Sequence, residues 1–233
     1  MRGTLTMLGA CALLGPYAYA DGFPPGQPSA SGPTPSASVG EAPSSGDLDD
    51  AAEKKWEFSV AVAGYIVPDG SAYLQPTFSA DHDWLHLEAR YNYEDIDTSS
   101  AWAGYNFSWG KDLTLDLTPM IGAVAGNTDG IAPGYEFTLT YGKIELYSEG
   151  EFLFDLDDSS DSFFYNWTEL SFAPVDCFRF GLVIQRTKES DTGFDIDRGL
   201  LVGFTFESVD VTAYVFNLGW DDPMFVLSVG MQF

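Results

Sequence analysis

His86, Glu88 and Arg90 occupy alternate positions, so an extended backbone projects an imidazole, a carboxylate and a guanidinium from one face. Such a trio can form an ion-paired cluster, poise a proton or begin a metal site. A lone histidine on that face supplies one strong metal ligand at most, and His82, the other histidine, falls in an expected turn. No metal or cofactor site is read, and the ion-paired cluster is the expectation. Glu57, Asp116, Glu136, Glu145, Glu149, Glu151, Asp155 and Asp210 belong to similar faces, against few bases, chiefly Arg90, Lys143 and Arg179. Carboxylates gathered round a wet passage concentrate cations and repel anions. In a filled interior the same groups would only satisfy one another.

The elements that carry these groups read as strands. After Trp56 the apolar residues recur at every second position: Trp56, Phe58, Val60 and Val62 lie opposite Glu57, Ser59, Ala61 and Ala63. Leu85, Leu87, Ala89, Tyr91 and Tyr93 oppose His86, Glu88, Arg90 and Asn92, and the split repeats in 113–118, 135–141, 178–184 and 200–206. From 56 to 233 this gives about 12 strands of roughly ten residues, the length a tilted strand needs to cross a bilayer. Expected tight turns near 81–83, 110–112, 142–143, 173–176 and 207–208 alternate with longer connectors at 68–71, 94–99, 124–134, 156–161, 187–196 and 219–222. Three places fit badly. Pro76 and Pro119 fall inside strand-like runs and call for bulges or strand ends. In 163–172, Phe163, Tyr165 and Trp167 have one parity and Leu170 and Phe172 the other, which a bulge near Thr168 and Glu169 would reconcile.

The remaining composition bounds the function. The formal net charge of -25 repels phosphate backbones, so a nucleic-acid partner is excluded and a cation is the natural counterpart. Residues 1–20 combine Arg2, an apolar run from Leu5 to Leu14 and Ala18-Tyr19-Ala20, the pattern of a cleaved signal peptide. Residues 21–55 are rich in Pro, Ser and Gly, with little bulky apolar surface to offset the entropy of ordering, and read as a flexible periplasmic tail. With residues 1–20 removed, Cys177 is the one cysteine left, so no internal disulfide is expected.

The last segment, Phe225 to Phe233, is apolar at every second position back from the final Phe233. With the strand series before it, residues 56–233 resemble the outer-membrane β-barrels of Gram-negative bacteria, and Phe233 resembles the signal read by the barrel assembly machinery. The resemblance implies an all-β, closed, antiparallel up-and-down transmembrane barrel, inserted from the periplasm with both termini on that side. It carries over no catalytic residue. Aromatics at strand ends (Trp56, Tyr65, Tyr91, Tyr93, Trp109, Tyr135 and Tyr141) suit a lipid interface, and against a soluble sandwich the heavily charged opposite face weighs too.

Outer-membrane phospholipases place a Ser and a His one residue apart on a strand, but here Glu88 follows His86 and Trp84 follows His82, so an enzyme is not expected. The outward connectors are acidic (Glu94, Asp95, Asp97; Asp157, Asp158, Asp161), but 155–161 lacks the Gly and later Glu of a calcium loop. The sequence reads as a monomeric barrel in outer-membrane lipid and lipopolysaccharide, passing cations or small polar solutes. Glu57, Glu88, Arg90, Asp116, Glu136, Glu145, Glu149, Glu151 and Arg179 are its expected lumen and selectivity residues. A non-conducting structural or adhesive barrel with a plugged interior is the alternative.

Overall fold

The computed structural model describes residues 55–66, 72–157, 159–189, 193–219 and 223–233. The signal-peptide and tail readings, and the connectors at 68–71 and 220–222, lie outside them. Thirteen strands are assigned: β1 (Glu57–Ile66), β2 (Tyr73–His82), β3 (Leu85–Tyr91), β4 (Ser99–Tyr105), β5 (Phe107–Gly110), β6 (Leu113–Ala125), β7 (Gly130–Tyr141), β8 (Ile144–Asp155), β9 (Phe163–Val175), β10 (Phe178–Glu189), β11 (Asp195–Phe206), β12 (Val209–Phe216) and β13 (Met224–Gln232). Chain neighbours pair antiparallel except β4 and β5, which both pair with β6; β1 pairs with β13, and the ring is closed.

Twelve staves make that ring, because β4 and β5 are two parts of one. Both pair with β6 in a single register, Ser99 opposite Ala125 and Phe107 opposite Leu117. The break at Asn106 lies beside Pro119 on β6, which has no N–H to donate to the ladder. Asn106 repairs the gap with its own groups: its N–H donates to the Trp84 carbonyl (2.8 Å) and its side chain to Asp81 (2.7 Å), and it accepts from Thr118 (2.7 Å). At Pro76 the register with β1 is continuous, and the pairing with β3 begins only at the next residue, Thr77. Both prolines therefore lie inside their strands, not at the ends or bulges expected, each next to a place where one neighbouring ladder starts or breaks.

The alternation along each strand separates a bore from an outer face. Outward residues include Leu170, Leu182, Leu200, Val202, Phe204, Leu227 and Val229, all 40 % exposed or more. Among the described residues no Asp or Glu stands at an outward strand position. An apolar wall without carboxylates is stable against hydrocarbon and costly against water. Near the end that holds the described start of β1 and the end of β13, the outer wall carries neighbouring aromatics: Trp84 with Tyr105, Tyr105 with Phe107, Phe107 with Trp109, and Phe58 with Phe233. Phe233 also exchanges backbone hydrogen bonds with Phe58 (3.0 and 2.9 Å), closing the seam between the two ends of the barrel.

Several sequence expectations are corrected. The connector expected at 124–134 is only 126–129, since β6 and β7 are longer than their glycines and Pro133 suggested; the ladder to β8 skips positions 132 and 133 and resumes at Gly134. No bulge occurs at Thr168 and Glu169, where β9 pairs without interruption from Phe163 to Phe172. The irregularity lies between Phe178 and Phe180. Phe163, Tyr165 and Trp167 consequently share the inward face with Glu169. The turn expected at 173–176 shortens to Asp176 and Cys177. Tyr65, expected at a lipid interface, is fully buried and stacks on Tyr73 at 4.7 Å.

A charge on the outer wall must be far less tolerated than one at a turn. Leu182→Arg, in the aliphatic row Leu170, Leu182 and Leu200, is expected to destabilise the barrel by about 2–4 kcal/mol in lipid vesicles. Urea titration of the folded fraction measures it, and an unchanged midpoint would show that this wall does not meet hydrocarbon.

Candidate functional site

Inward strand positions and one folded connector build two polar clusters in the bore. The first surrounds Arg90. Its guanidinium bonds to Glu88, reaches Glu151 at 3.2 Å and lies 3.8 Å from Glu136. It is sandwiched by aromatic faces, with Cζ 4.0 Å from the Tyr93 ring centre and 4.5 Å from Trp102. Planar, weakly hydrated guanidinium is suited to this combination of carboxylates and rings. Glu149 lies alongside, accepting from Tyr93 (3.1 Å) and Tyr147 (2.7 Å).

These contacts cross the bore. Arg90 is on β3 and Glu151 on β8, with β4, β6 and β7 between them around the wall. Tyr93 meets Tyr165 of β9 edge to face at 5.9 Å, with β8 added to the intervening staves. The reach is possible because residues 92–98 fold inward instead of standing away from the barrel. Asn92 and Asp97 adopt positive φ (55° and 57°), a conformation that Asn and Asp tolerate better than most. The connector is tied down by Asn92 to the Leu74 carbonyl (2.9 Å), by Asn92 N–H to the Thr98 carbonyl (2.8 Å) and by Asn127 to the Ile96 carbonyl (2.9 Å). Tyr93 and Glu94 are thereby buried inside the bore mouth. Burial pushes the Glu94 carboxyl above its ordinary range, with Arg90 and Ser100 pulling the other way.

Glycines seat the Trp102 indole. A Cβ on inward Gly122 would fall 2.5 Å from its ring, and one on Gly134 would fall 3.0 Å away. Only a bare backbone lets the ring lie flat on β6 and β7.

The second cluster centres on Glu169. It accepts from Trp167 (2.8 Å), Tyr214 (2.9 Å) and Arg179 (3.0 Å), while Arg179 also donates to Thr212 (2.8 Å) and lies 3.5 Å from Asp210. Trp167 packs edge-on against Tyr214 and Phe216, each at 5.2 Å.

The sequence-derived residues distribute as follows. Glu88, Arg90, Glu136, Glu149 and Glu151 come together in the first cluster, and Arg179 and Asp210 in the second. Glu145 is inward and half-buried, with Thr140 at 3.5 Å. Glu57 and Asp116 stand at the bore's lower rim near the described ends of the barrel, where Asp116 is exposed and accepts from Ser108 (2.6 Å). Asp155 marks the opposite rim. Lys143 is a correction: it sits in an exposed hairpin turn and donates to the Pro174 carbonyl, outside the bore. His86 pairs with Asp81 (2.9 Å) and lies 3.9 Å from Glu88, consistent with an ion-paired trio. Among the described residues no three His, Cys, Asp or Glu side chains are grouped to hold a metal.

Sequence reasoning missed Glu94 and Glu169 as bore residues, with Tyr93, Trp102 and Trp167. Uninterrupted parity from Phe163 to Ser171 would have placed Glu169 correctly, but nothing in the local pattern announced that 92–98 turns inward.

No family model and no curated protein matches the chain. Among solved structures, a KdgM porin superposes with a TM-score of 0.54 over 75% of this chain and 99% of that one, at 10% identity. The KdgM porin in complex with disordered oligogalacturonate gives 0.55 over the same shares at 9% identity. The chain thus shares the porin barrel fold.

Two outcomes test the first cluster. Arg90→Met leaves Glu88 and Glu151 buried without their cation and is expected to cost about 3–5 kcal/mol in urea unfolding, against less than about 0.5 for Lys111→Met at an exposed turn. Because the folded state holds the Glu94 proton more tightly than an unfolded chain does, its contribution to stability is full below pH 4.5 and declines as pH rises through the shifted value. Glu94→Gln should remove that decline, and parallel pH curves for variant and parent would contradict the assignment.

Proposed function

We propose that the chain is an outer-membrane barrel forming a narrow channel for small cations or small polar solutes, with both termini in the periplasm and the cluster around Arg90 as its selective constriction. One observation carries the reading: where the bore is narrowed by side chains reaching across it, Glu88, Glu94, Glu136, Glu149 and Glu151 face one guanidinium. That excess of carboxylates raises the local cation concentration and repels anions. Export, insertion by the barrel assembly machinery through the Phe233 strand and residence in outer-membrane lipid follow from the same reading, and the apolar outer wall and porin-like fold support them.

Oligogalacturonate, the ligand named for one of the similar porins, is a chain of uronic acids. The carboxylates of this constriction oppose such a polyanion, so that ligand class is not proposed here. Catalysis is not part of the reading, since no hydroxyl nucleophile is set against His86 among the described residues.

A second reading has its own support. The cross-bore contacts of Arg90 with Glu151 and of Tyr93 with Tyr165 are those of a closed interior, which suits a structural or adhesive barrel. Planar-bilayer recording separates the two. The channel predicts resolvable conductance with a reversal potential favouring cations in a salt gradient, a weaker preference in Glu149→Gln and Glu151→Gln, and a larger conductance in Tyr93→Ala. Silence from both the parent and Tyr93→Ala would establish the plugged reading, and anion preference in the parent would refute the acidic constriction.

A further inference from the structure

Among the described residues the outer wall carries no carboxylate in its strands, yet it carries cations, and they are gathered in one place. Residues 56–233 hold Arg90, Lys111, Lys143, Arg179, Arg186, Lys188 and Arg198 as their Lys and Arg. Arg90 and Arg179 are in the bore, and Lys111 and Lys143 are in hairpin turns. The other three, Arg186, Lys188 and Arg198, point outward from the adjacent strands β10 and β11, and all lie within a few residues of the end opposite those turns. Arg198 pairs in register with Ile184, two residues from Arg186 along the same outward face.

These cations are held in a prepared setting. Arg186 donates to the Asn166 side-chain oxygen (3.3 Å), which lies on the neighbouring outward position of β9. Asn166 is itself fixed by Tyr135 (3.0 Å), Ser148 (3.0 Å) and the Glu149 carbonyl (2.8 Å), a polar strip crossing the wall from β7 to β10. Lys188 lies over the Phe194 ring at 5.5 Å, and both Lys188 and Arg198 are exposed. A lipid-facing cation is expensive at mid-bilayer and favourable at the level of anionic headgroups. Their confinement to one rim, without an outward carboxylate on any strand to pair with, matches an anionic partner at headgroup height.

We propose that this face of β10 and β11 docks the phosphorylated sugar headgroup of an outer-leaflet glycolipid. Arg186, Lys188 and Arg198 meet its phosphates, and the Tyr135, Ser148 and Asn166 strip lies beneath its sugar and acyl junction. The inference rests on the proposed orientation, which sets this rim in the outer leaflet, but not on whether the bore conducts.

The test uses the purified barrel in detergent micelles, with bis-phosphorylated lipid A and its enzymatically dephosphorylated form as probes, followed by native mass spectrometry. The parent should retain the phosphorylated probe and lose it by about tenfold or more in Arg186→Gln/Lys188→Gln/Arg198→Gln. Lys111→Gln/Lys143→Gln and the charge-keeping Arg186→Lys/Arg198→Lys should bind as the parent does, which covers the case of a poorly folded triple variant. Equal retention of the dephosphorylated probe, undiminished binding by the folded triple variant, or equal preference for phosphatidylglycerol would each overturn the proposal. Competition by millimolar inorganic phosphate alone would mark a free-anion site and overturn it too. Bilayer conductance of the triple variant should match the parent whatever that value is, so failure of the channel reading and failure of this one are separately visible.

Discussion

Closure of the sheet is the constraint from which the other features follow. A ring of hydrogen-bonded staves has no unpaired edge, so its backbone polar groups are satisfied without water, and a spanning sheet in hydrocarbon requires that condition. Closure also turns the two-residue period of each strand into an inside and an outside. Once the outside is given to lipid, the acidic residues of the strands have only the bore and the rims to occupy, and the seam made by Phe58 and Phe233 is where the circuit is completed.

The inward-facing carboxylates then shape the interior contacts. Two arginines serve two clusters, each flanked by more than one carboxylate, with tyrosine and tryptophan donors also bonding to those carboxylates. Aromatic donors suit this role because their rings fill space while their O–H or N–H groups satisfy buried oxygens. The connector 92–98 adds a buried tyrosine and a further carboxylate to one cluster.

The same sorting explains the outer wall. Cations are few in residues 56–233, and those not used in the bore or at turns, Arg186, Lys188 and Arg198, lie near one rim on adjoining strands. A wall whose described strand positions hold no carboxylate but three basic groups near one rim has an electrostatic polarity along its axis, which distinguishes one rim of the barrel from the other.

Much of this was legible in the residues themselves. The alternation in Trp56 to Val62, Leu85 to Tyr91 and Phe225 to Phe233 determined the strands and their faces, because parity is a local property set by backbone geometry, while the closed barrel was what the resemblance implied. The grouping of Glu88 with Arg90 followed from the same two-residue spacing. What the sequence could not determine was which strands face one another across the bore: that Arg90 meets Glu151, that Tyr93 turns in to reach Tyr165, that Gly122 and Gly134 form a seat for Trp102, and that Glu169 gathers Trp167, Arg179 and Tyr214. Those contacts join residues far apart in the chain, and they exist only because the ring closes with a particular circumference and register. Parity along one strand carries no information about the strand opposite, so tertiary structure alone decided how the bore is filled.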